Sequence, residues 1–204
     1  MLKKIFFVID DSKNACNCLK IFSIVKSQKV FSFSKIKYQA ISDNDPDYPY
    51  YTQKKDLVVL FGINKFKDSS YTITTKNNPI DPGWFKNKIN CAIFFMPEGT
   101  ELLKHQDWLH NFDGWVTFKS KYEFLTDDMK ILTDKVPLLY KKLFKILVNV
   151  KSPKNAYDII VNIYDETIKD FLNKKSILKY KNLPEIKMSV YKLNINQQNL
   201  VYKE

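Results

Sequence analysis

The sequence predicts an α/β protein with a mostly parallel, doubly wound sheet and a helical C-terminal extension. Two observations predict this class. Over the first two-thirds of the 204 residues, short apolar segments alternate with amphipathic or polar stretches, which is the spacing of strands joined by helices. Several segments are apolar at almost every position, as expected of strands that are covered on both faces. Apolar residues make up 45% and aromatic residues 15% of the chain, which excludes the disordered class.

Five segments are predicted strands. The first, KKIFFVI, is an almost continuous apolar run, and DLVVLFGI and NCAIFFM have the same character. The segment KVFSFSKIKYQAI alternates in polarity, so it fits either one long strand or two short ones. In chain order the five predicted strands are residues 3–9, 29–41, 56–63, 90–96 and 112–118.

Helices are predicted between these strands. Ser12 fits the N-cap of a helix over residues 12–28, where apolar residues recur at helical spacing. A second helix is predicted from Thr100 to His110. The segment over residues 65–78 fits either a short β excursion or a long surface loop, because SYTITT alternates in polarity.

From about Thr133 onward the chain is predicted to be helical. Ser152 and Pro153 form an N-cap followed by a proline at the first helical position. The tail over residues 186–202 alternates, which fits an added strand or a loose end. We therefore predict a Rossmann-like or flavodoxin-like core over residues 1–134. A basic helical extension over residues 135–204 is expected to pack on it, within a single domain.

The charge of the chain is strongly basic. The formal net charge is +11, all 33 basic residues are lysine, and residues 135–204 hold 14 lysines against 6 acids. Without arginine the chain has no bidentate guanidinium, so little base specificity is expected if it binds nucleic acid. The lysine-rich helices predict a surface for nucleic-acid phosphate, an acidic protein or an anionic membrane, the alternative being a solvated lysine face. The lysines assigned to this surface are Lys141, Lys142, Lys145, Lys151, Lys154, Lys174, Lys175 and Lys179.

A second candidate site follows from the predicted sheet. The carboxyl ends of parallel strands meet at one edge, where open α/β sheets bind ligands. Asp10 and Asp11 follow the first strand, and paired carboxylates can hold Mg²⁺, which is the expected cofactor if there is one. The candidate ligand-binding residues at this edge are Asp10, Asp11, Gly62, Asn64, Glu98 and Gly99.

Part of the chain resembles the receiver domains of bacterial response regulators. Asp10 and Asp11 resemble the acidic pair that binds Mg²⁺ there, residues 56–60 resemble the third strand, and residues 112–119 resemble the fifth strand with its lysine. The departures are Phe61-Gly62 in place of the phosphoacceptor aspartate and Met96-Pro97 in place of the Ser or Thr that ends the fourth strand. The resemblance therefore implies a degenerate receiver-like domain, without phosphorelay.

Residues 56–140 also resemble the N-terminal, Rossmann-like half of two-domain glycosyltransferases. The resemblance rests on CAIFFMPEG, an apolar strand that ends in a small loop, and on FDGWVTFKSKYEF, which closes the sheet. It implies a transferase that depends on a nucleotide or a sugar nucleotide.

Two functions are therefore expected. The first is a non-catalytic interaction module that uses the lysine-rich helices, and the alternative is such a transferase. An enzyme needs acids or anion donors at the carboxyl edge, whereas an interaction module is expected to fill that edge with Phe61, Met96 and Phe118. No GxGxxG, GxxxxGK or GxSxG motif is present, and His105 and His110 do not share a helix face, so no catalytic residue is assigned. Because no apolar run is long enough to cross a bilayer and no signal peptide is recognised, a cytoplasmic location is expected.

Overall fold

The structure is a computed structural model. It describes residues 4–9, 37–41, 54, 56–61, 64–67, 70–74, 79–80, 89–95, 103–104, 109–120, 122–123, 139, 142–143, 149–173 and 183–204. The helix predicted over residues 12–28 lies outside this part of the chain. Of the helix predicted from Thr100 to His110, the described residues Leu103, Lys104 and Leu109 are helical, whereas His110 lies in a turn.

The described strands form two sheets. The strands are β1 (Lys4–Ile9), β2 (Lys37–Ile41), β3 (Leu57–Phe61), β4 (Asn64–Lys67), β5 (Ser70–Thr74), β6 (Pro79–Ile80), β7 (Cys91–Phe95), β8 (Trp115–Phe118) and β9 (Leu200–Lys203). The larger sheet has the order β2-β1-β3-β7-β8-β9. Its first five strands are parallel and β9 is antiparallel to β8. Each of the five predicted strands contributes to this sheet, and the α/β class is confirmed.

Three central strands end in line. Ile9 of β1 pairs with Phe61 of β3, which in turn pairs with Phe95 of β7. We call the edge where the parallel strands end the carboxyl edge, and the edge where they begin the amino edge.

The second sheet is small and antiparallel. It has the order β4-β5-β6, with Asn64 opposite Ile73 and Ile73 opposite Ile80. Of the two structures considered for residues 65–78, the β excursion is therefore confirmed.

The middle strands of the larger sheet are buried on both faces. Successive side chains of a strand point to opposite faces. Val58 and Val59 of β3, and Ile93 and Phe94 of β7, are all 0% exposed. Burial on both faces explains why these strands are continuous apolar runs in the sequence.

Helix α1 (Pro153–Leu172) packs on the larger sheet, where it contacts β7, β8 and β9. The predicted start of this helix is confirmed, because Ser152 is the N-cap and Pro153 follows at the first helical position. The Ser152 Oγ accepts a hydrogen bond from the Asn155 N–H at 3.2 Å, which satisfies a donor that the first turn leaves unpaired.

Helix α2 (Leu183–Asn199) corrects the prediction for the tail. The alternating segment over residues 186–202 is neither a strand throughout nor a loose end. It is helical to Asn199, and only Leu200–Lys203 form a strand. The buried residues of α2 recur at intervals of three and four, which is helical spacing, and they are Ile186, Ser189, Leu193 and Asn196.

The helical C-terminal extension therefore contributes a strand to the sheet, while the boundary predicted at residue 134 stays a prediction. None of the described helices combines the length and the apolar character that crossing a bilayer requires.

Candidate binding site at the amino edge of the sheet

The carboxyl edge was the predicted ligand site. Among its candidate residues, Asn64 lies in the described part of the chain, where it begins β4 of the small sheet and not a strand of the large one. The candidates outside the described residues are Asp10, Asp11, Gly62, Glu98 and Gly99. The Mg²⁺ site at Asp10 and Asp11 thus stays a prediction. Within the described residues, no three His, Cys, Asp or Glu side chains group as metal ligands.

Aromatic side chains fill the carboxyl edge beside β7 and β8. Phe95 and Phe118 end these strands, are fully buried, and have ring centroids 6.0 Å apart. Tyr122 packs against both rings, with centroids 4.6 Å from Phe118 and 5.6 Å from Phe95. At this end of the edge the chain has a packed core in place of an open cleft.

The C-terminal end of α2 closes the same region. The Asn196 side chain accepts a hydrogen bond from the Glu123 N–H at 2.8 Å and donates one to the Glu123 carbonyl at 2.8 Å. The Lys119 N–H donates to the Asn199 carbonyl at 2.7 Å. These bonds hold the segment that follows β8 against the end of α2.

The amino edge, by contrast, contains an open pocket. We call it the amino-edge pocket. It has a volume of about 290 Å³ and is lined by Leu103, Leu109, His110, Phe112, Asp113, Trp115 and Lys203. His110, Asp113 and Lys203 are exposed, Trp115 is half-buried, and Leu109 and Phe112 are buried. The pocket therefore has an apolar floor and a polar, solvent-accessible rim.

The pairing of strands assembles this pocket. Lys203 of β9 lies opposite Trp115 of β8 in the antiparallel register. On the other side, the Asp113 N–H donates to the Ile89 carbonyl at 2.8 Å, which ties the entry of β8 to the entry of β7. The Phe112 ring meets the buried Phe94 ring edge-on, at a centroid distance of 5.6 Å. Side chains distant in sequence are thus held by the rigid sheet.

Gly114 is the point where three elements meet beside the pocket. A Cβ atom at this position would lie 2.4 Å from the Pro153 Cγ, 2.7 Å from the Lys203 carbonyl oxygen and 3.2 Å from the Asn90 carbonyl oxygen. Only glycine fits such a close approach without displacing its neighbours. Tyr202 packs on Tyr157 of α1, so the neighbouring Lys203 and its partner Trp115 point to the other face of the sheet, and α1 and the pocket lie on opposite faces.

Exposed lysines lie along the amino edge of the sheet, and one of them, Lys203, lines the pocket. We call the following exposed residues at the starts of β3 and α1 and at the end of β9 the amino-edge lysines: Lys54, Lys151, Lys154 and Lys203. The Lys54 carbonyl accepts a hydrogen bond from the Asn90 N–H at 3.0 Å, which links it to the same junction. Within the described part of this region, the exposed carboxylates belong to Asp113 and Glu204. Among the described residues of this edge, the exposed lysines therefore outnumber the exposed carboxylates.

The predicted lysine surface is only partly described. Lys142, Lys151 and Lys154 are exposed, and Lys142 forms an ion pair with Glu166 of α1. The others lie outside the described residues, and they are Lys141, Lys145, Lys174, Lys175 and Lys179.

Helix α1 itself is not basic. Its lysines are Lys154 and Lys169, and its acids are Asp158, Asp165, Glu166 and Asp170. Of the predicted surface, Lys151 and Lys154 are therefore the described lysines that lie away from the acidic part of this helix.

Sequence reasoning did not find the amino-edge pocket. Lys203 reaches Trp115 only because β9 adds to the sheet, and a four-residue strand after a long helix leaves almost no sequence signal. His110 was noted, but in relation to His105. The one usable signal was the alternation of Leu200–Lys203, which fits an added strand.

The chain was also compared with known proteins. No protein-family model, no curated protein and no solved structure matches it. What this protein does is therefore inferred from its own residues.

Proposed function

We propose that this protein is a non-catalytic interaction module that binds a polyanion, with nucleic-acid phosphate as the favoured partner. The amino-edge lysines provide the described part of the binding surface. Phosphate contacts by lysine give binding that depends on salt and not on base sequence.

The position of Lys151 and Lys154 carries this proposal. They stand just before α1 and in its first turn, which holds no acidic residue. A helix N-terminus already has a partial positive charge, so cations there oppose the helix dipole. The acids of α1 begin only at Asp158. The chain thus concentrates positive charge where local helix stability would favour a carboxylate, and an anionic partner relieves that repulsion.

The packing at the carboxyl edge favours the interaction module over an enzyme that would use this edge as its active site. An interaction module was expected to place Phe118 there, and Phe118 is fully buried against Phe95 and Tyr122. The side chains of Phe61 and Met96 lie outside the described part of the chain, so this support concerns the β7 and β8 end of the edge.

For the scaffold we propose a doubly wound, receiver-like or Rossmann-like sheet. The five parallel strands, taken in chain order, have the spatial order second, first, third, fourth, fifth, which is the flavodoxin-like order. With right-handed crossovers, the reversal of direction at β1 puts successive connections on opposite faces. Burial of Val58 and Val59 on the two faces of β3 supports layers on both sides.

The test is a salt titration with three polyanions: a single-stranded oligothymidylate, heparin and polyglutamate. We expect the oligothymidylate to bind at low salt and to dissociate as salt is raised. A Lys151→Gln, Lys154→Gln double variant should reduce the salt dependence, the slope of log K against log salt, by about 1.4, since each single-strand phosphate contact contributes about 0.7.

The matched control is Lys169→Gln, which removes an exposed lysine from the other end of α1. This site lies about 22 Å from Lys154 along the helix axis, at the usual rise per residue. An equal effect of the control and the double variant would contradict the assignment to the amino edge. Binding to polyglutamate alone would point to an acidic protein partner, and no binding to any polyanion would refute the module.

The alternative function is a transferase that depends on a nucleotide or sugar nucleotide. The aligned ends of β1, β3 and β7 favour it, because Ile9, Phe61 and Phe95 are in register and the candidate residues follow those strands. The reversal of strand order next to β1 is also where doubly wound sheets bind nucleotides.

This alternative predicts that uridine diphosphate glucose with Mg²⁺ raises the melting temperature at both low and high salt. An Asp10→Asn, Asp11→Asn variant should abolish that shift, and Lys151→Gln, Lys154→Gln should leave it unchanged. If the shift is absent in the unaltered protein, the transferase proposal fails.

A further inference from the structure

The amino-edge pocket has a composition that a phosphate-binding lysine surface does not require. Its wall includes the half-buried indole of Trp115, and its rim includes the His110 imidazole and the Asp113 carboxylate. No ion pair between Asp113 and Lys203 is found among the described residues. Both charged residues are exposed, and both line the pocket together with Trp115.

The size of the pocket limits its occupant. Ligand pockets commonly span about 300–1,000 Å³, and a volume of about 290 Å³ lies at the small end. The space suits one planar ring system and excludes a dinucleotide cofactor. An acidic peptide would use the lysines but would find an opposing carboxylate at Asp113, and it offers no flat ring to Trp115.

A nucleotide unit matches every part of this arrangement. A nucleobase presents a flat face for an aromatic side chain, and its N–H groups can donate to the Asp113 carboxylate. The phosphate attached to it would meet Lys203, which lies opposite Trp115 in the register of β8 and β9. We propose that the amino-edge pocket binds a single nucleobase with its phosphate, the base against Trp115 and the phosphate at Lys203.

This inference deepens the proposed function, on which it rests for phosphate binding by Lys203, one of the amino-edge lysines. Two kinds of ligand present this base and phosphate: a free mononucleotide, and one unpaired nucleotide within a single strand. In either case the base is bound by stacking, so recognition tolerates different bases.

The experiment compares an oligothymidylate with an abasic oligonucleotide that has the same length and the same phosphates. The unaltered protein should bind the oligothymidylate about tenfold more tightly. Trp115→Leu should remove this preference and leave heparin binding unchanged. Trp115→Phe should retain most of it, and Lys203→Gln should weaken both oligonucleotides.

The outcomes separate the two proposals. If neither oligonucleotide nor heparin binds at low salt, the proposed function fails. If both oligonucleotides bind equally to the unaltered protein, the polyanion surface stands and the nucleobase pocket is refuted. Thymidine 5′-monophosphate distinguishes the two kinds of ligand: saturable binding that Lys203→Gln weakens identifies a mononucleotide site, and binding of the oligothymidylate alone identifies a single-strand site.

A fluorescence measurement keeps the proposal testable if Trp115→Leu does not fold. The chain has three tryptophans, so a Trp84→Phe, Trp108→Phe variant leaves Trp115 as the only one. Oligothymidylate binding should quench its emission and the abasic oligonucleotide should not. Equal responses to the two ligands would overturn the pocket assignment.

Discussion

The two helices α1 and α2 bury their inner faces by different means. In α1 the buried side chains are almost all apolar, and they include Ala156, Ile160, Ile163 and Phe171. In α2 every second position of the buried stripe is polar, because Ser189 and Asn196 alternate with Ile186 and Leu193. The helices pack against each other and share one core.

This difference separates packing from positioning. Burial of an apolar face stabilises the protein in proportion to the buried area, but it does not fix one exact position of the helix. The two hydrogen bonds between Asn196 and the Glu123 backbone require one position and one orientation of α2. We infer that α1 contributes more of the stability of the core and that α2 fixes where β9, and with it Lys203, enters the sheet.

The largest effect is expected from a substitution in the apolar buried face of α1. Phe171 is 1% exposed near the end of α1, and its replacement by alanine should lower the free energy of unfolding by about 3–5 kcal/mol, through lost burial and a residual cavity. Urea unfolding measures this change. The adjacent Leu172→Ala is the control, since Leu172 is 52% exposed and should change stability little. Similar losses for both variants would show that α1 does not act through its buried face.

The next largest effect is expected from a substitution of a polar residue in the buried stripe of α2. Asn196→Ala should lower the free energy of unfolding by about 2–4 kcal/mol, because the Glu123 N–H and carbonyl lose their partners in a buried region. Gln198→Ala, at an exposed site of the same helix, is the control.

Asn196→Leu sharpens this test. If α2 were held by apolar burial alone, leucine at this buried position would be neutral or stabilising. A loss comparable to that of Asn196→Ala is expected instead, and it would show that the hydrogen bonds position the helix.

The same contrast explains what the sequence could predict. Helix α1 was predicted because Ser152, Pro153 and an apolar stripe all point to one helix, and the parallel strands were predicted because burial on both faces requires continuous apolar runs. Helix α2 was missed because Ser189 and Asn196 interrupt its apolar period, and what remained alternated like a strand.

The amino-edge pocket could not be predicted for a related reason. It depends on which strand neighbours β8, and pairing between distant segments leaves no local pattern. Lys203 and Trp115 become neighbours only through the antiparallel register of β8 and β9. By contrast, Lys151 and Lys154 were identified from charge alone, without any knowledge of their neighbours.

A smaller effect is expected at the junction between α1 and the sheet. Gly114→Ala would bring a Cβ within 2.4 Å of the Pro153 Cγ and 2.7 Å of the Lys203 carbonyl oxygen. Relief of this overlap requires α1 or β9 to shift, at a cost of about 1–3 kcal/mol. Urea unfolding should show the loss, and the nucleotide affinity of the folded protein should fall as well. Unchanged stability would mean that α1 does not approach the sheet this closely.

The smallest effect concerns the cap that begins α1. Ser152→Ala removes the acceptor for the Asn155 N–H, and the free energy of unfolding should fall by about 1 kcal/mol. Ser152→Gly should lower it by only a few tenths of a kcal/mol, because glycine is also well accepted at an N-cap. The Asn155 side chain still accepts from the Lys151 N–H at 3.1 Å in both variants, so the start of the helix should be retained. If Ser152→Ala instead weakened polyanion binding and left the free energy of unfolding unchanged, the hydroxyl would contact the partner. The stability of α1 would then come from its buried face, with no contribution from the cap.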